Sequence, residues 1–332
     1  MKAAVHERYG PPEVVELRDV ERPVPTGDQV MVRVHAASVN RADLDGLKPR
    51  PGFVRLFTGI RAPRNIGVGI DVAGVVESVG PEVTRFRPGD RVMSDTFTSG
   101  QSTFREYVCA PEKTFELMPD GMTFEEASTL PHAAILALQG LRLRRGRSIR
   151  PGDKVLISGA SGNVGPFAVQ IAKSMGAEVT GVASTPKLDF VRSLGADHVI
   201  DYTQTDFWSA GERYDWILDT DSHQSILRSR RALKPDGVYV TLGGESGPIL
   251  EAVLLGSLLS LVTGRYSGLM FWWKPLHPPD VDRIKELLAA GAVKPVIDRR
   301  YPLSEVVQAL RHVEDGKARG KVVVTMDPNG AA

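Results

Sequence analysis

The sequence predicts an α/β protein of two domains, in which a doubly wound parallel sheet is inserted within a β-rich, barrel-like domain. Three features of the 332-residue chain carry this expectation. Short apolar strands between Pro/Gly turns fill residues 1–125. From Asp153 onward strands alternate with helices, the rhythm of βαβ units and a parallel sheet. After Phe271 prolines 275, 278 and 279 mark a boundary, and amphipathic helices and one last strand follow. The expected boundaries are 1–125 plus 275–332 for the β-rich domain and 126–274 for the inserted one.

Taken in order, Val30–Ala36 alternates apolar and other residues as a half-buried strand does. Asp71–Gly80 reads as a second strand, and Arg87-Pro88-Gly89-Asp90 is turn chemistry leading into a third, Arg91–Met93. Phe124–Leu143 has helical spacing interrupted only by Pro131. Then come strand Lys154–Ser158, helix Asn163–Met175, strand Glu178–Val182, helix Pro186–Leu194, and strands His198–Asp201, Trp216–Asp219 and Gly237–Leu242. Right-handed crossovers between them make a doubly wound sheet. Helices Val281–Ala290 and Ser304–Glu314, the latter with Ser304 as its cap, precede the strand Lys321–Thr325.

Composition excludes several classes. Net charge is +1, so no global field holds nucleic acid or an anionic membrane. One cysteine, Cys109, excludes an internal disulfide framework and multi-cysteine structural zinc, and fits a reducing, cytoplasmic setting. The N-terminus lacks the apolar stretch of a signal peptide. The most apolar segment, Ala252–Gly264, falls short of the roughly 20 residues that span a bilayer and reads as a buried helix or a lid. The polar tail from Asp327 is expected to fray.

The strongest local signal is Gly159-Ala160-Ser161-Gly162-Asn163-Val164-Gly165, after a strand and opening a helix. One glycine permits the tight turn, another lets the backbone approach a pyrophosphate, and the last lets the helix pack on the sheet. Backbone N–H groups at the helix start then meet the phosphate charge. Ser161, Gly162, Asn163 and Val164 are therefore cofactor-binding candidates. Binders of the non-phosphorylated dinucleotide place an acid at the end of the next strand, on the ribose 2′-hydroxyl. Here Gly181–Lys187 carries none. Ser184 and Lys187 are suited to a 2′-phosphate, which selects NADPH. The plainer alternative makes Ser184 a helix cap and Lys187 a solvated lysine. Tyr202, ending the third strand, either touches the adenosine half or packs.

At this point the chain resembles the medium-chain dehydrogenase/reductases, in their zinc-free, quinone oxidoreductase-like branch. The resemblance rests on Ala37–Asp43, Gly69–Val76, Arg87–Val92, Glu106–Val108, Ser158–Gly165, Ser193–Asp197, Leu242–Gly244 and Gly320–Val324, and covers residues 1–326. It implies a GroES-like catalytic domain with an inserted Rossmann domain. Where zinc members carry Gly-His-Glu, this chain has Gly69-Ile70-Asp71, and no cysteine stands in Ala36–Asn40. Three protein ligands for catalytic zinc cannot be assembled, and His35, His132 and His223 read as an incidental trio.

The resemblance implies NADPH-dependent hydride transfer to a quinone or activated alkene, which delocalises charge onto its own oxygen without a Lewis acid. A zinc-independent carbonyl or alcohol dehydrogenase and a non-catalytic NADPH-binding protein are the alternatives. The resemblance makes Asn40 a candidate for the nicotinamide site, the alternative being a turn residue starting a helix at Arg41. Asp43 matches a position that is more often structural. Leu242 and Gly243 lie on a loop expected near the nicotinamide, and Lys321 in a stretch near the cofactor. Phe271, Trp272 and Trp273 either wall the pocket or belong to core or subunit contact. The chain departs from its relatives at Leu136, at Arg105, and at His132, which either points into the active site or lies solvated at a helix start. Residues Arg50–Arg64, with Phe53 and Phe57, read as an entrance loop or a plain surface loop. A small-molecule substrate and a homodimer joined by sheet edges are the expected partners.

Overall fold

The structure, a computed structural model, describes residues 1–49, 52, 55–100, 102–143, 146–263 and 266–326. Phe53 of the expected entrance loop and the tail from Asp327 lie outside them. The chain forms two compact units. Unit 1 comprises Met1–Ala133, Pro275–Pro278 and the chain from Pro295; unit 2 comprises Ala134–Lys274 and Pro279–Lys294. The helix expected near Val281 thus belongs mostly with the parallel sheet rather than with the β-rich domain.

Unit 1 is built on an antiparallel core. Strands β1 (Lys2–Val5) and β2 (Glu16–Asp19) form a two-stranded ribbon. The main sheet contains β3 (Gln29–Val39), β4 (Asp71–Val79), β5 (Arg91–Asp95), β6 (Tyr107–Pro111), β7 (Phe115–Leu117), β14 (Ile297–Pro302) and β15 (Lys321–Thr325). Its order is β14-β15-β3-β4-β5-β7, and β6 pairs with β3. Helices α1 (Arg41–Leu47), α2 (Arg55–Thr58), α3 (Phe124–Ser128) and α10 (Val306–Glu314) surround it. Alternation along β3 and β4 sends Val30, Val32, Val34, Val72 and Val76 to one apolar cluster with Phe86 and Phe115. The α10 turn faces another cluster, with Ala309 and Leu310 buried against Val322 and Val324.

Unit 2 holds six parallel strands: β8 (Lys154–Ser158), β9 (Glu178–Ala183), β10 (His198–Asp201), β11 (Tyr214–Asp219), β12 (Leu233–Thr241) and β13 (Ser267–Leu269). Their order is β10-β9-β8-β11-β12-β13. The order reverses between β8 and β11, and at such a switch point the crevice beyond the strands' carboxyl ends takes ligand. Helices α4 (Ala133–Gly140), α5 (Gly165–Ser174), α6 (Leu188–Ser193), α7 (Ile226–Ser229), α8 (Ser246–Thr263) and α9 (Pro278–Ala289) complete the helical set.

Three local expectations are corrected. The helical pattern of 124–143 splits into α3 and α4 around Pro131, which cannot continue an N–H ladder. Ser304 is not a cap: Leu303–Glu305 is a 3-10 turn and Glu305 precedes α10. The apolar segment from Ala252 is not a buried helix. Its inner side packs so closely that a Cβ on Gly256 would lie 2.3 Å from the Ser267 carbonyl oxygen. Its outer side exposes Leu254, Leu258, Val262 and Leu261, the last 83% exposed.

Candidate active site

In unit 2 the loop after β8 sits at the switch point. Gly159 has φ +75°, a left-handed conformation that glycine adopts freely. Thr220, just past β11, locks the loop from the neighbouring strand by donating from Oγ1 to the Ser158 carbonyl (2.9 Å). A Cβ on Gly165 would meet the Gly159 carbonyl at 2.2 Å and Ala160 at 2.5 Å, so α5 starts hard against the loop. Gly162 is different: its missing side chain would touch only the Gly159 oxygen, at 3.4 Å. That side is a cradle that a side chain would fill. The first turn of α5 carries no acid, leaving its unbonded N–H groups and dipole to an anion. These features fit the diphosphate of a dinucleotide, with Ser161, Gly162, Asn163 and Val164 around it.

Ser184 follows β9 and is half-buried, as is Lys187. One strand over, the register pairs Asp201 with Ala183, which brings in a carboxylate that the local sequence of β9 does not reveal. Thr185 Oγ1 (2.5 Å), Thr203 Oγ1 (2.7 Å) and the Thr203 N–H (2.9 Å) all donate to it. These bonds hold the Asp201 carboxyl below its usual range, the Thr185 hydroxyl foremost. Tyr202 is 60% exposed. The Gly243 carbonyl accepts from the Ser222 N–H (2.8 Å), which fixes the loop holding Leu242. Phe271 is 68% exposed, whereas Trp272 is held by its indole N–H on the Gln139 carbonyl (3.3 Å).

Unit 1 contains a buried polar network assembled by strand register. On β15 and β3, Val322 faces Val39, and one step outward Lys321 meets Asn40. On β4 and β5, Asp71 stands directly opposite Asp95. Two facing carboxylates repel, so the arrangement needs cations. Lys321, 1% exposed, supplies one: its Nζ donates to Asn40 Oδ1 (2.7 Å) and lies 3.5 Å from Asp71 Oδ2. His132 supplies the other, donating from its backbone N–H to Asp71 Oδ1 (3.0 Å) and from Nδ1 to Asp95 Oδ2 (2.9 Å). Ser38 Oγ (2.8 Å) and Asn40 Nδ2 (2.8 Å) also donate to Asp71 Oδ2.

The electrostatics follow from this packing. Burial alone lowers the His132 pKa, but the Asp95 carboxylate, its hydrogen bond and Asp71 outweigh burial and raise it. Burial pushes the Asp71 carboxyl up, against Lys321, His132 and Asn40. Burial lowers the Lys321 ammonium, against Asp71 and Asp43. Asp43 is pushed up to about 7, by burial first, partly opposed by the Asn40 backbone N–H.

His132 is thus a buried, paired histidine rather than a solvated one. Asn40 is fully buried, and its amide also donates to the Ser38 carbonyl (3.2 Å), so it serves the Asp71–Lys321 pair. Asp71 and Asp95 are not singled out as site residues by the sequence: Asp71 stands there only as the acid of Gly69-Ile70-Asp71, and Asp95 as the acid that ends an apolar strand. His35 stacks on Phe124 with ring centroids 4.2 Å apart, and His223 pairs with Asp221 (3.3 Å) and Glu245 (3.1 Å). Among the described residues no group of three or more His, Cys, Asp and Glu is placed to hold a metal ion. Ile70 offers no ligand atom, and the buried Lys321 ammonium stands as the cation against Asp71. The residues present do not fit zinc, and no step is derived through it.

The chain matches the "Alcohol dehydrogenase GroES-like domain" family over residues 26–137 and the "Zinc-binding dehydrogenase" family over 194–324. It is 34% identical to the mitochondrial NAD(P)H oxidoreductase RTN4IP1 of Mus musculus, over 98% of this chain and 89% of that protein. It is 33% identical to the chloroplastic NADPH-dependent alkenal/one oxidoreductase of Arabidopsis thaliana, over 98% of this chain and 79% of that one. The solved quinone oxidoreductase of Coxiella burnetii superposes with a TM-score of 0.86 at 28% identity, over 98% and 99% of the two chains. No helix among the described residues is long and apolar enough to cross a membrane. On this fold, this loop and these relatives, the chain is an NAD(P)H oxidoreductase and belongs to the quinone oxidoreductase-like branch of the medium-chain dehydrogenase/reductase superfamily.

Proposed function

We propose that this protein is a zinc-free, NADPH-dependent reductase of quinones or activated alkenes. The observation that carries the reading is the open side of Gly162 against an acid-free helix start, at the switch point of a parallel sheet. When bound, the reduced nicotinamide supplies a hydride. Gly162 and the first turn of α5 bind the diphosphate; Ser184 and Lys187 receive the 2′-phosphate at the end of β9. Tyr202, Leu242, Gly243 and Phe271 are the remaining cofactor contacts we assign. Lys321 and Asp71 fix Asn40, a positioning residue, and Asp95 fixes the His132 ring, the second residue we assign to the catalytic site. An acceptor that spreads the charge of the hydride over its own conjugated system needs no metal.

Two further parts of the reading concern the whole protein. The edge strand β13 and the bare apolar side of α8 support a homodimer, and the single cysteine supports a reducing, cytoplasmic compartment. Sedimentation at micromolar concentration returning only monomer contradicts the dimer. The enzymatic reading is tested by NADPH oxidation with 1,4-benzoquinone and 2-cyclohexenone, alongside metal analysis of the purified protein. Turnover without bound zinc is expected. Stoichiometric zinc, or no turnover with any acceptor, overturns it.

A further inference from the structure

Unit 1 contains a cavity of about 920 Å³ walled by α10, β14 and the turn that enters β15. That volume is near the top of the roughly 300–1,000 Å³ of small-molecule sites. No residue of the buried Asp71–Lys321 network lines it. Strand pairing builds one wall. The parallel register sets Ile297 beside Lys321 and Arg299 beside Val322, so Arg319, just before β15, falls at the same end of the strand pair as Arg299. Tyr301 and Val307 pack only partly buried on the core under α10, so each leaves apolar surface for the cavity. Beneath them His312 is buried, and its Nε2 donates to Asp298 Oδ2 (2.7 Å). Its ring lies 6.2 Å from that of Tyr301, which gives the cavity a fixed floor.

The charges of the wall do not cancel. Four permanent cations and three carboxylates line the cavity. Each carboxylate already has a partner: Glu13 accepts from the Arg311 guanidinium, Asp315 from Lys317 Nζ (2.8 Å) and Asp298 from His312. The hydrogen bonds from Arg311 and Lys317 hold the Glu13 and Asp315 carboxyls below their usual range. Arg311 and Lys317 also stand at the C-terminal end of α10, where cations answer the negative end of the helix dipole. Arg299 and Arg319 are left over. Both are exposed, and neither guanidinium makes an ion pair or hydrogen bond among the described residues. Unneutralised cations in a concave wall concentrate anions. A guanidinium presents a planar fork of donors that matches the oxygens of a phosphate.

We propose that this cavity is a binding site for a phosphorylated small molecule, with Arg299 and Arg319 on the phosphate oxygens and Tyr301 and Val307 against the organic part. A phosphate monoester carries about −1.5 to −2 charges at neutral pH, which matches two guanidiniums, whereas a monocarboxylate matches one. A bare phosphate leaves most of the volume and the apolar surface unused, so the ester is the better occupant. The inference stands on unit 1 alone and is independent of the reductase reading.

The test is a set of calorimetric titrations of the full chain saturated with NADPH, so that the diphosphate loop of unit 2 is occupied. The probes are phenyl phosphate, inorganic phosphate, phenol and succinate. The variants are Arg299→Gln with Arg319→Gln, and Arg299→Lys with Arg319→Lys. Expected is saturable binding of one phenyl phosphate per chain, tighter than inorganic phosphate and about tenfold or more tighter than phenol or succinate. The glutamine pair should lose about tenfold or more in affinity for phenyl phosphate while binding NADPH as wild type does. The lysine pair keeps the charge but loses the fork, and should fall between the two. If the glutamine pair does not fold, Arg319→Gln alone decides by the same comparison. No binding of phenyl phosphate, binding unchanged by the glutamine substitutions, succinate bound as tightly, or displacement of NADPH in place of binding beside it overturns the proposal. A chain that binds no NADPH defeats the cofactor assignment alone; the same probes and variants then decide the site on the unsaturated protein.

Discussion

The buried network of unit 1 makes single residues into strong levers. Lys321 is the only ammonium within reach of Asp71 in the bonds described, so Lys321→Met leaves a buried carboxylate without its cation. Breaking a buried pair from one side costs roughly 3–5 kcal/mol, and urea unfolding is expected to show a loss of that size. Asp95 has a different signature. The raised His132 pKa means that its charge stabilises the fold fully below the unfolded value near 6.5, and that this contribution is lost as pH rises through the folded value. Asp95→Asn removes the cause, and burial then depresses His132. The slope of stability against pH near pH 6 is therefore expected to fall or reverse; an unchanged slope by urea unfolding between pH 5 and 8 contradicts it. Asp43 works in the same sense as His132. Its folded pKa of about 7 exceeds the unfolded value, so the fold holds an extra proton between about pH 4 and 7 and loses stability across that window as pH rises. Of these residues, His132, Asn40 and Lys321 were legible as candidates from the resemblance. Asp71 and Asp95 were not, because what joins them is register across β3, β4 and β5, and no local pattern encodes it.

The secondary-structure elements show where periodicity suffices and where it fails. Five of the six parallel strands of unit 2 are apolar runs whose positions follow from the sequence to within about two residues, except that β12 begins at Leu233, upstream of the expected Gly237; the sixth, β13, was not expected, its three residues Ser267-Gly268-Leu269 being too short to show a period. The glycine loop was equally legible, since its spacing encodes a turn, an approach and a packing contact. The roles of its glycines separate experimentally. Gly165→Ala drives a Cβ into backbone at 2.2 Å and is expected to unfold or badly destabilise unit 2. Gly162→Ala meets only an ordinary contact, so the thermal midpoint is expected to hold while NADPH binding falls tenfold or more by calorimetry. Equal loss of stability in both would remove the assigned division of labour. Helix α8 marks the failure. Apolar composition implies a buried helix or a lid, but a helix packed by Ala252 and Gly256 on one side leaves leucines exposed on the other. If the proposed homodimer forms through this side of α8, Leu258→Glu with Leu261→Glu leaves the fold intact and gives a monomer in sedimentation; a wild type that is already monomeric contradicts the proposal. The caps illustrate a smaller limit: Ser304 has the right chemistry but lies inside a 3-10 turn, so the helix starts later.

At the scale of the whole molecule, the two-part architecture was visible in the shift from short strands to βαβ rhythm. The family followed from stretches spread along the chain. The domain to which residues 279–294 belong was not visible, since an amphipathic helix does not state which core its apolar face meets. The central claim is that this assembly is an NADPH-dependent reductase working without zinc. A paired calorimetric titration with NADPH and NADH, on wild type and Lys187→Ala, followed by turnover with 1,4-benzoquinone and an enone, tests it most directly. NADPH is expected to bind at least tenfold more tightly than NADH, with that preference weakened selectively by Lys187→Ala, and protein free of zinc is expected to turn over steadily. Equal affinity for the two cofactors contradicts the assignment of Ser184 and Lys187, and tight NADPH binding without turnover contradicts the reductase itself.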